Sequence, residues 1–441
     1  MITEINDRNL MSIKNPTLRS YAQIYVDINK NFLEKMDQFG LDFEEQDDSQ
    51  QVWDRIAALK EKGAVVRNDS RSIYTRRISP ACIACQKGVG STTFFVSLKC
   101  HRDCFYCFNP NQEGYPYFRE HTRDLVSELN NLKIGGQRVR HLGLTGGEPL
   151  LHKSEAIHFF QQAHQDFPGV YTRLYTSGDH LDRETAQALK DACLDEIRFS
   201  IRMHDLAKGI RHTYDQIALA REYISNVMVE MPVIPDTFNE MKDVLLELDR
   251  LGIYGINLLE FCFPLNNAQE FRKRGYAIKA RPFRVLYNYW YAGGLPVAGS
   301  ETTCLDLIDF ALKAGLNLGV HYCSLENKHS GQIYQQNFGS NFSKILFFSQ
   351  KDYFLKSAKV FGEDIQPVKK LFDQSGYRDY QINQEYDYLE FHVNKVRALK
   401  KLDIEVGISK NVIENREGDL VLRELKVDVT TPETFRLSKD L

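Results

Sequence analysis

The spacing of apolar residues changes character along the chain. Through residue 80 it is helical. Leu18, Tyr21, Tyr25 and Ile28 form one stripe and Val52, Ile56 and Leu59 another, with Asp47, Asp48, Ser49 and Gln50 as a solvated break between them. This predicts a mostly helical leader. From about residue 91, short β-rich runs alternate with helical stripes. The expected strands are Thr93–Leu98, Val139–Leu144, Val170–Tyr175, Glu196–Ile201, Val227–Ile234 and Gly255–Phe261. The helical stripes between them include Leu125–Leu132, Ala156–Ala163, Thr185–Cys193 and Met241–Leu251. Such alternation builds βαβ units on a parallel sheet. About six units with right-handed crossovers curl into an open, partial (β/α)6 TIM-like barrel, whose chemistry gathers at the C-terminal ends of the strands. Gly315–His321 is one further strand candidate. After it, Ile345–Phe348, a helix near Phe354–Phe361, Tyr386–His392 and the paired runs Ile404–Ile408 and Leu420–Val427 predict an α+β module, the last two joined by a turn at Asn415–Gly418. The expected division is an N-terminal helical extension (1–88), a core α/β barrel (89–325) and a C-terminal α+β module (326–441).

Charge narrows the function classes. The chain has 56 Lys and Arg against 59 Asp and Glu, which leaves no electrostatic footprint for nucleic acid or an acidic membrane surface. No stretch approaches the roughly 20 apolar residues that span a bilayer. The opening residues, MITEINDRNL, lack the apolar core of a signal peptide, so the expected location is the cytoplasm. There the nine cysteines stay reduced. An odd, clustered set of this kind points to metal binding rather than to a disulfide framework.

Cys100, Cys104 and Cys107 give the spacing C-x3-C-x2-C directly after the first expected barrel strand. Three thiolates on one loop can hold three irons of a [4Fe-4S] cube and leave the fourth iron open. Zinc is the competing reading, with His101 the only neighbouring fourth ligand and awkwardly adjacent to Cys100. A cluster used only for electron transfer would want four thiolates. Gly146, Gly147, Glu148 and Pro149 follow the next strand. The glycines allow close backbone approach to a ligand, and Glu148 can accept charge-assisted hydrogen bonds from an ammonium group. Ser177 ends the third strand, Ser200 and Arg202 end or follow the fourth, and Val233 and Ile234 lie at the end of the fifth. Taken singly, these polar residues read equally well as caps, and the apolar pair reads as core.

The cysteine loop, with Tyr106 just before its third cysteine, and the tetrapeptide Gly146–Pro149 together resemble the signatures of the radical S-adenosylmethionine (SAM) superfamily over roughly residues 92–262. The phrases CIAC, FFVSLKC, LYTSG, LDEIRFS and HYCS further resemble a poorly characterised group related to pyruvate formate-lyase activating enzyme. The resemblance implies a [4Fe-4S] cluster on Cys100, Cys104 and Cys107, with SAM chelated to its open iron. Reductive cleavage would then give methionine and a 5′-deoxyadenosyl radical that abstracts a substrate hydrogen. It places Tyr106 beside the adenine and the GGEP segment on the SAM amino group. Ser177, Ser200 and Arg202 would contact its carboxylate and ribose, and Val233 and Ile234 would cradle the adenine. A flavodoxin- or ferredoxin-type reductant is implied by the chemistry.

Cys82 and Cys85 form a C-x2-C before the first barrel strand. With Cys323, and with Cys262 or His321, they are candidates for a second site holding zinc or an auxiliary iron–sulfur cluster. Cys193, in a helical stripe, reads as a buried structural thiol. The amount of chain outside the barrel favours a peptide or protein substrate. A small-molecule radical enzyme is the alternative, and an iron–sulfur electron carrier or regulator is the alternative from another class.

Overall fold

The computed structural model describes residues 1–136, 138–203, 207–287, 294–340 and 342–441. They form two compact units. One comprises Phe39–Pro282 and Tyr289–Gly331, and the other Met1–Gln38, Phe283–Asn288 and Gln332–Leu441.

The first unit is built on β1 (Val65–Arg67), β2 (Ser72–Tyr74), β3 (Ser91–Phe95), β4 (His141–Thr145), β5 (Tyr171–Thr176), β6 (Glu196–Phe199), β7 (Asn226–Val233) and β8 (Gly255–Glu260). A two-stranded ribbon of β9 (Cys262–Phe263) and β10 (Leu295–Pro296) follows, and then β11 (Gly319–Cys323). The nine-stranded sheet runs β1-β2-β11-β8-β7-β6-β5-β4-β3, and every pairing from β11 to β3 is parallel. This is the α/β architecture expected from the alternating pattern. Each expected strand is present, displaced by a few residues at most.

The hairpin β1–β2 replaces part of the helix expected through residue 80. Strands of three residues are too short to display a period of two. Their turn is made by Asn68, Asp69 and Ser70, all at positive φ (49°, 51° and 65°), a conformation that apolar spacing does not reveal. β2 then lies antiparallel on β11, with Tyr74 opposite His321 and Ser72 opposite Cys323.

The strands alternate in what they bury. Leu142, Leu144, Leu174, Ile197, Phe199, Val227, Val229, Ile256, Leu258 and Val320 join one hydrophobic core. The helices Lys153–Asp166, Arg183–Asp191, Phe238–Leu251 and Ser300–Lys313 contribute to the same core. The intervening positions carry Arg173, Tyr175, Glu196, Arg198, Glu230, Asn257 and His321. These face the concave side, where the short helix Pro80–Cys85 meets Glu196, Arg198 and Asn257 through Ser79 and Cys82.

The second unit has β12 (Phe347–Phe348), β13 (Leu355–Phe361), β14 (Tyr380–Asn383), β15 (Tyr388–Phe391), β16 (Val406–Arg416) and β17 (Asp419–Thr430). They form an antiparallel sheet of order β14-β15-β13-β16-β17, with β12 on β13. The β16–β17 hairpin turns where expected. The segment Phe354–Phe361 is a central strand rather than the expected helix. Every residue of β13 is buried, so both faces are apolar or internally paired and the run loses its alternation. Lys356 bonds Asp352 at 2.5 Å, and Lys359 pairs with Glu424. The compact units also cut the chain elsewhere than the expected boundaries at 88 and 325. The helix Pro16–Met36 packs Leu18 and Tyr21 against Phe361 and Val427 in the second unit. Residues from 39 onward belong to the first. Cys193 is exposed, at φ 60° just beyond its helix, and the buried thiol is Cys304. Among the described residues, no helix is long and apolar enough to cross a membrane.

Candidate functional site

The cysteine loop leaves β3 at the C-terminal edge of the sheet, and its backbone is fastened on both sides to the loop after β4. Gly147 N donates to Ser97 O at 3.0 Å and Glu148 N to Lys99 O at 2.8 Å, immediately before Cys100. Beyond Cys107, Asn109 Nδ2 donates to Gly146 O at 2.8 Å. These close approaches explain the glycine pair. A Cβ on Gly147 would lie 1.9 Å from Lys99 O, and one on Gly146, at φ +118°, 2.4 Å from Ser97 O. The glycines expected to admit a ligand therefore admit the cysteine loop itself.

Glu148 is 2% exposed. Its Oε1 accepts from Leu150 N (3.0 Å) and Thr176 Oγ1 (2.7 Å), and its Oε2 from Ser177 N (2.7 Å). Three of roughly four acceptor directions of the carboxylate are thus used, leaving one for an ammonium. Ser177 is held by the same contact, and its Oγ accepts from Asp179 N. Ser200 N donates to Thr176 O, so the ends of β5 and β6 are joined. Pro149 begins the short 3-10 turn that follows Glu148.

The three thiols lie within electrostatic reach of one another. Burial raises all three, Cys104 to about 11; Cys104 feels both Cys107 and Cys100, and Cys107 feels Cys100. Arg202 and Arg102 oppose that effect at Cys100 and Cys104 by favouring the thiolates. His101 is not available as a fourth ligand. Its Nε2 lies 2.5 Å from Asp179 Oδ2, and its Nδ1 is 3.3 Å from His180 Nε2. Arg102 grips both oxygens of the same Asp179, each at 2.6 Å. Burial would raise the Asp179 carboxyl, but the bonds from Arg102 and His101 hold it well below the usual range. Among the described residues, no three His, Cys, Asp or Glu side chains close on a single ion. A cube ligated at three corners holds its thiolates farther apart than one ion does, so this donor set fits an iron–sulfur cube better than zinc.

Tyr106 packs edge-on against Phe261, just past β8, with ring centroids 5.6 Å apart. Phe105 touches both Tyr106 and Phe261, and Arg274 lies 4.2 Å over its ring. Val233 is fully buried in the core between sheet and helices, and its carbonyl accepts from Ser300. That places its side chain away from the loop. Ile234 is buried at the strand end.

The second set of thiols lies on the concave face. Cys82 receives bonds from Asn257 (3.3 Å) and Arg198 (3.5 Å), and Cys323 from Asn327 (3.2 Å). Cys323 also feels the charges of Cys82 and Cys85. His321 has both nitrogens engaged, Nδ1 with Asn257 and Nε2 with Ser72, each at 2.9 Å. Burial and then Arg198 depress its pKa to about 3.

Compared with known proteins, residues 95–248 match the radical SAM superfamily. The chain is similar to that superfamily over these residues, about a third of its length. A Methanocaldococcus jannaschii relative, named provisionally as a glycyl-radical enzyme activating enzyme, is 28% identical over 245 residues. The match takes in 53% of this chain and 60% of the relative. PqqA peptide cyclase of Methylocella silvestris is 31% identical over 147 residues, 33% of this chain and 37% of that protein. The chain thus spans three fifths or less of the curated relatives it matches. Among solved structures, Streptococcus suis SuiB bound to precursor peptide SuiA is 11% identical. It has a TM-score of 0.39 and covers 72% of this chain and 67% of that one. The enzyme anSMEcpe with bound AdoMet is 17% identical with a TM-score of 0.33, covering 39% and 52%.

Asp179 was not singled out by sequence reasoning. Its one signal is its place directly after the Tyr175–Gly178 strand end, which the barrel brings against the cysteine loop.

Proposed function

We propose that this radical SAM chain cleaves SAM reductively and uses the resulting radical to modify a peptide or protein. The observation that carries the reading is the pairing of an open three-thiol loop with Glu148, fastened to it by the backbone bond to Lys99. When bound, a [4Fe-4S] cluster with SAM supplies a 5′-deoxyadenosyl radical able to take a hydrogen atom. Cys100, Cys104 and Cys107 would hold the cluster. Glu148, with one acceptor direction left, would take the SAM ammonium. Arg202, cationic and close to Cys100 and Cys104, would favour thiolate ligands and receive the SAM carboxylate, with Ser177 and Ser200 on the same edge. The aromatic group of Tyr106 and Phe261, with Ile234 nearby at its strand end, offers an apolar seat for the adenine. For Val233, the backbone rather than the side chain would have to serve.

The peptide or protein substrate is supported by the names of the two curated relatives, one a peptide cyclase and one an enzyme that activates another enzyme. A flavodoxin- or ferredoxin-type donor in the cytoplasm would supply the electron. A second metal on Cys82, Cys85 and Cys323 would require the bonds from Arg198, Asn257 and Asn327 to be given up. Iron and zinc analysis of a variant lacking the three loop cysteines tests it, and no residual metal removes it. The main reading is tested by anaerobic reconstitution with iron, sulfide, SAM and dithionite. Formation of 5′-deoxyadenosine is expected, and an intact cluster that yields none overturns the proposal.

A further inference from the structure

Two arginines sit on adjacent strands of the concave face, and among the described residues only one is electrically answered. Arg198 on β6 donates Nε to Glu196 and Nη1 to Glu230, each at 2.5 Å, and Nη2 to Ser79 at 3.1 Å. Arg173 on β5 is 6% exposed. Its Nε donates to Tyr175 Oη (3.0 Å) and its Nη2 to Thr93 Oγ1 (3.1 Å), both neutral partners. Its Nη1 is buried without a hydrogen-bond partner among the described residues. Glu196 is its register neighbour but is committed elsewhere, to Arg198, Ser79 and Tyr171.

An arginine cannot shed its proton to escape burial, and an isolated buried charge is costly unless paired. Lysine or histidine in the same place would neutralise; arginine must find an anion. The orientation is set by Gly143 on β4, directly opposite Arg173. A Cβ there would lie 3.1–3.2 Å from Nε, Cζ and Nη2, so that edge packs over the glycine and Nη1 turns away from it. Beside it, His141 Nδ1 is a second buried atom without a hydrogen-bond partner among the described residues. Burial and then Arg173 lower the pKa of that ring. Cys85, ending the short helix, is close enough for its charge to be felt by Arg173.

We propose that Arg173 is the seat for a carboxylate of the substrate, bound within the concave face of the sheet below the cysteine loop. The inference rests on the proposed radical reading, which it extends by naming a substrate class. One guanidinium edge and one neutral imidazole suit a singly charged, planar carboxylate, which Arg binds with paired donors. A phosphate dianion would find too few donors here. Arg173 lies three residues before the end of β5, roughly 10 Å below the loop. A side-chain or terminal carboxylate reaching down the face would therefore leave its parent backbone near the cysteines.

The test uses reconstituted protein with SAM and reads binding by anaerobic calorimetry and thermal midpoint, neither of which needs turnover. N-acetylglycine is compared with N-acetylglycinamide, and a blocked alanine pentapeptide carrying a central glutamate with its glutamine counterpart. The acid of each pair is expected to bind and raise the midpoint, and the amide to do neither. Binding of the pentapeptide alone assigns the carboxylate to a peptide side chain, and binding of N-acetylglycine as well assigns it to free acids too. Arg173→Gln is expected to weaken acid binding at least about 10-fold, as for loss of a charge-assisted bond. Its ligand-free midpoint is expected to equal or exceed that of the parent, because an unanswered charge is gone. Arg198→Gln should lower that midpoint. Equal binding of acid and amide, acid binding retained by Arg173→Gln, or a ligand-free midpoint several degrees below the parent overturns the proposal. The last result would show the guanidinium balanced inside the protein, for example by a Cys85 thiolate. Acid binding through Arg173 in a protein that makes no 5′-deoxyadenosine would sink the radical reading and leave this site standing.

Discussion

The chain holds two groups of three cysteines, and their surroundings differ more than their spacing. Around Cys100, Cys104 and Cys107 the fastening is done by other atoms: the Ser97 and Lys99 carbonyls, the Asn109 amide and the Asp179 carboxylate. Among Cys82, Cys85 and Cys323, two thiols are themselves acceptors, for Arg198, Asn257 and Asn327. Cys100 and Cys107 accept only from the backbone of their own loop, at Arg102 N and Asn109 N, whereas Cys82 and Cys323 are tied to side chains that the fold brings to them. Burial raises Cys82 and Cys323 as it does the loop thiols. Hydrogen bonding, rather than titration alone, distinguishes the groups.

The sharpest break in this comparison is Cys104→Ala against Cys82→Ala. The first should abolish cluster absorbance and SAM cleavage altogether, and the second should keep both. Equal losses in iron content would erase the distinction. Next is Gly147→Ala, which drives a methyl group into the Lys99 carbonyl. It should cost about 3 kcal/mol or more of stability, at the upper end for overpacking, read from the denaturation midpoint, with poor reconstitution. Glu148→Gln keeps shape but turns an amide donor toward Thr176 or Ser177. SAM affinity should fall about 10-fold, the worth of one charge-assisted bond, with iron content unchanged. Unchanged affinity in equilibrium dialysis would assign Glu148 a bracing role only.

The smallest effect concerns the second group's neighbour. His321 is depressed from 6.5 to about 3, so the unfolded chain binds a proton there that the folded one does not. Stability contributed by the neutral ring is present above about pH 6.5 and lost as pH falls toward 3. His321→Asn should flatten that limb of a stability-against-pH profile. A slope identical to the parent's would show that other groups dominate it.

Much of this was legible in the chain. The barrel strands announce themselves because one face must bury leucine, isoleucine and valine against helices. The cysteine loop and Gly146–Pro149 could be placed because each follows such a strand. Other features depend on the third dimension. Asp179 meets His101 and Arg102 across more than 75 residues of sequence. β13 hides its period because Lys356 and Lys359 are paired inside. Arg173 and Arg198 look alike as letters. Only the assignment of Glu196 to one of them separates a structural ion pair from an unanswered charge.

The stitching of the cysteine loop also bears on damage and repair. Among the described residues, none of the bonds that tie the cysteine loop to the loop after β4 passes through sulfur, and its sulfurs accept only from its own backbone, Cys100 from Arg102 N at 3.4 Å and Cys107 from Asn109 N. Loss of iron to oxygen should therefore leave the loop's path standing, with three thiols still gathered at the sheet edge. Reinstallation then becomes a matter of delivering iron and sulfide to a waiting cradle, not of refolding the polypeptide around them.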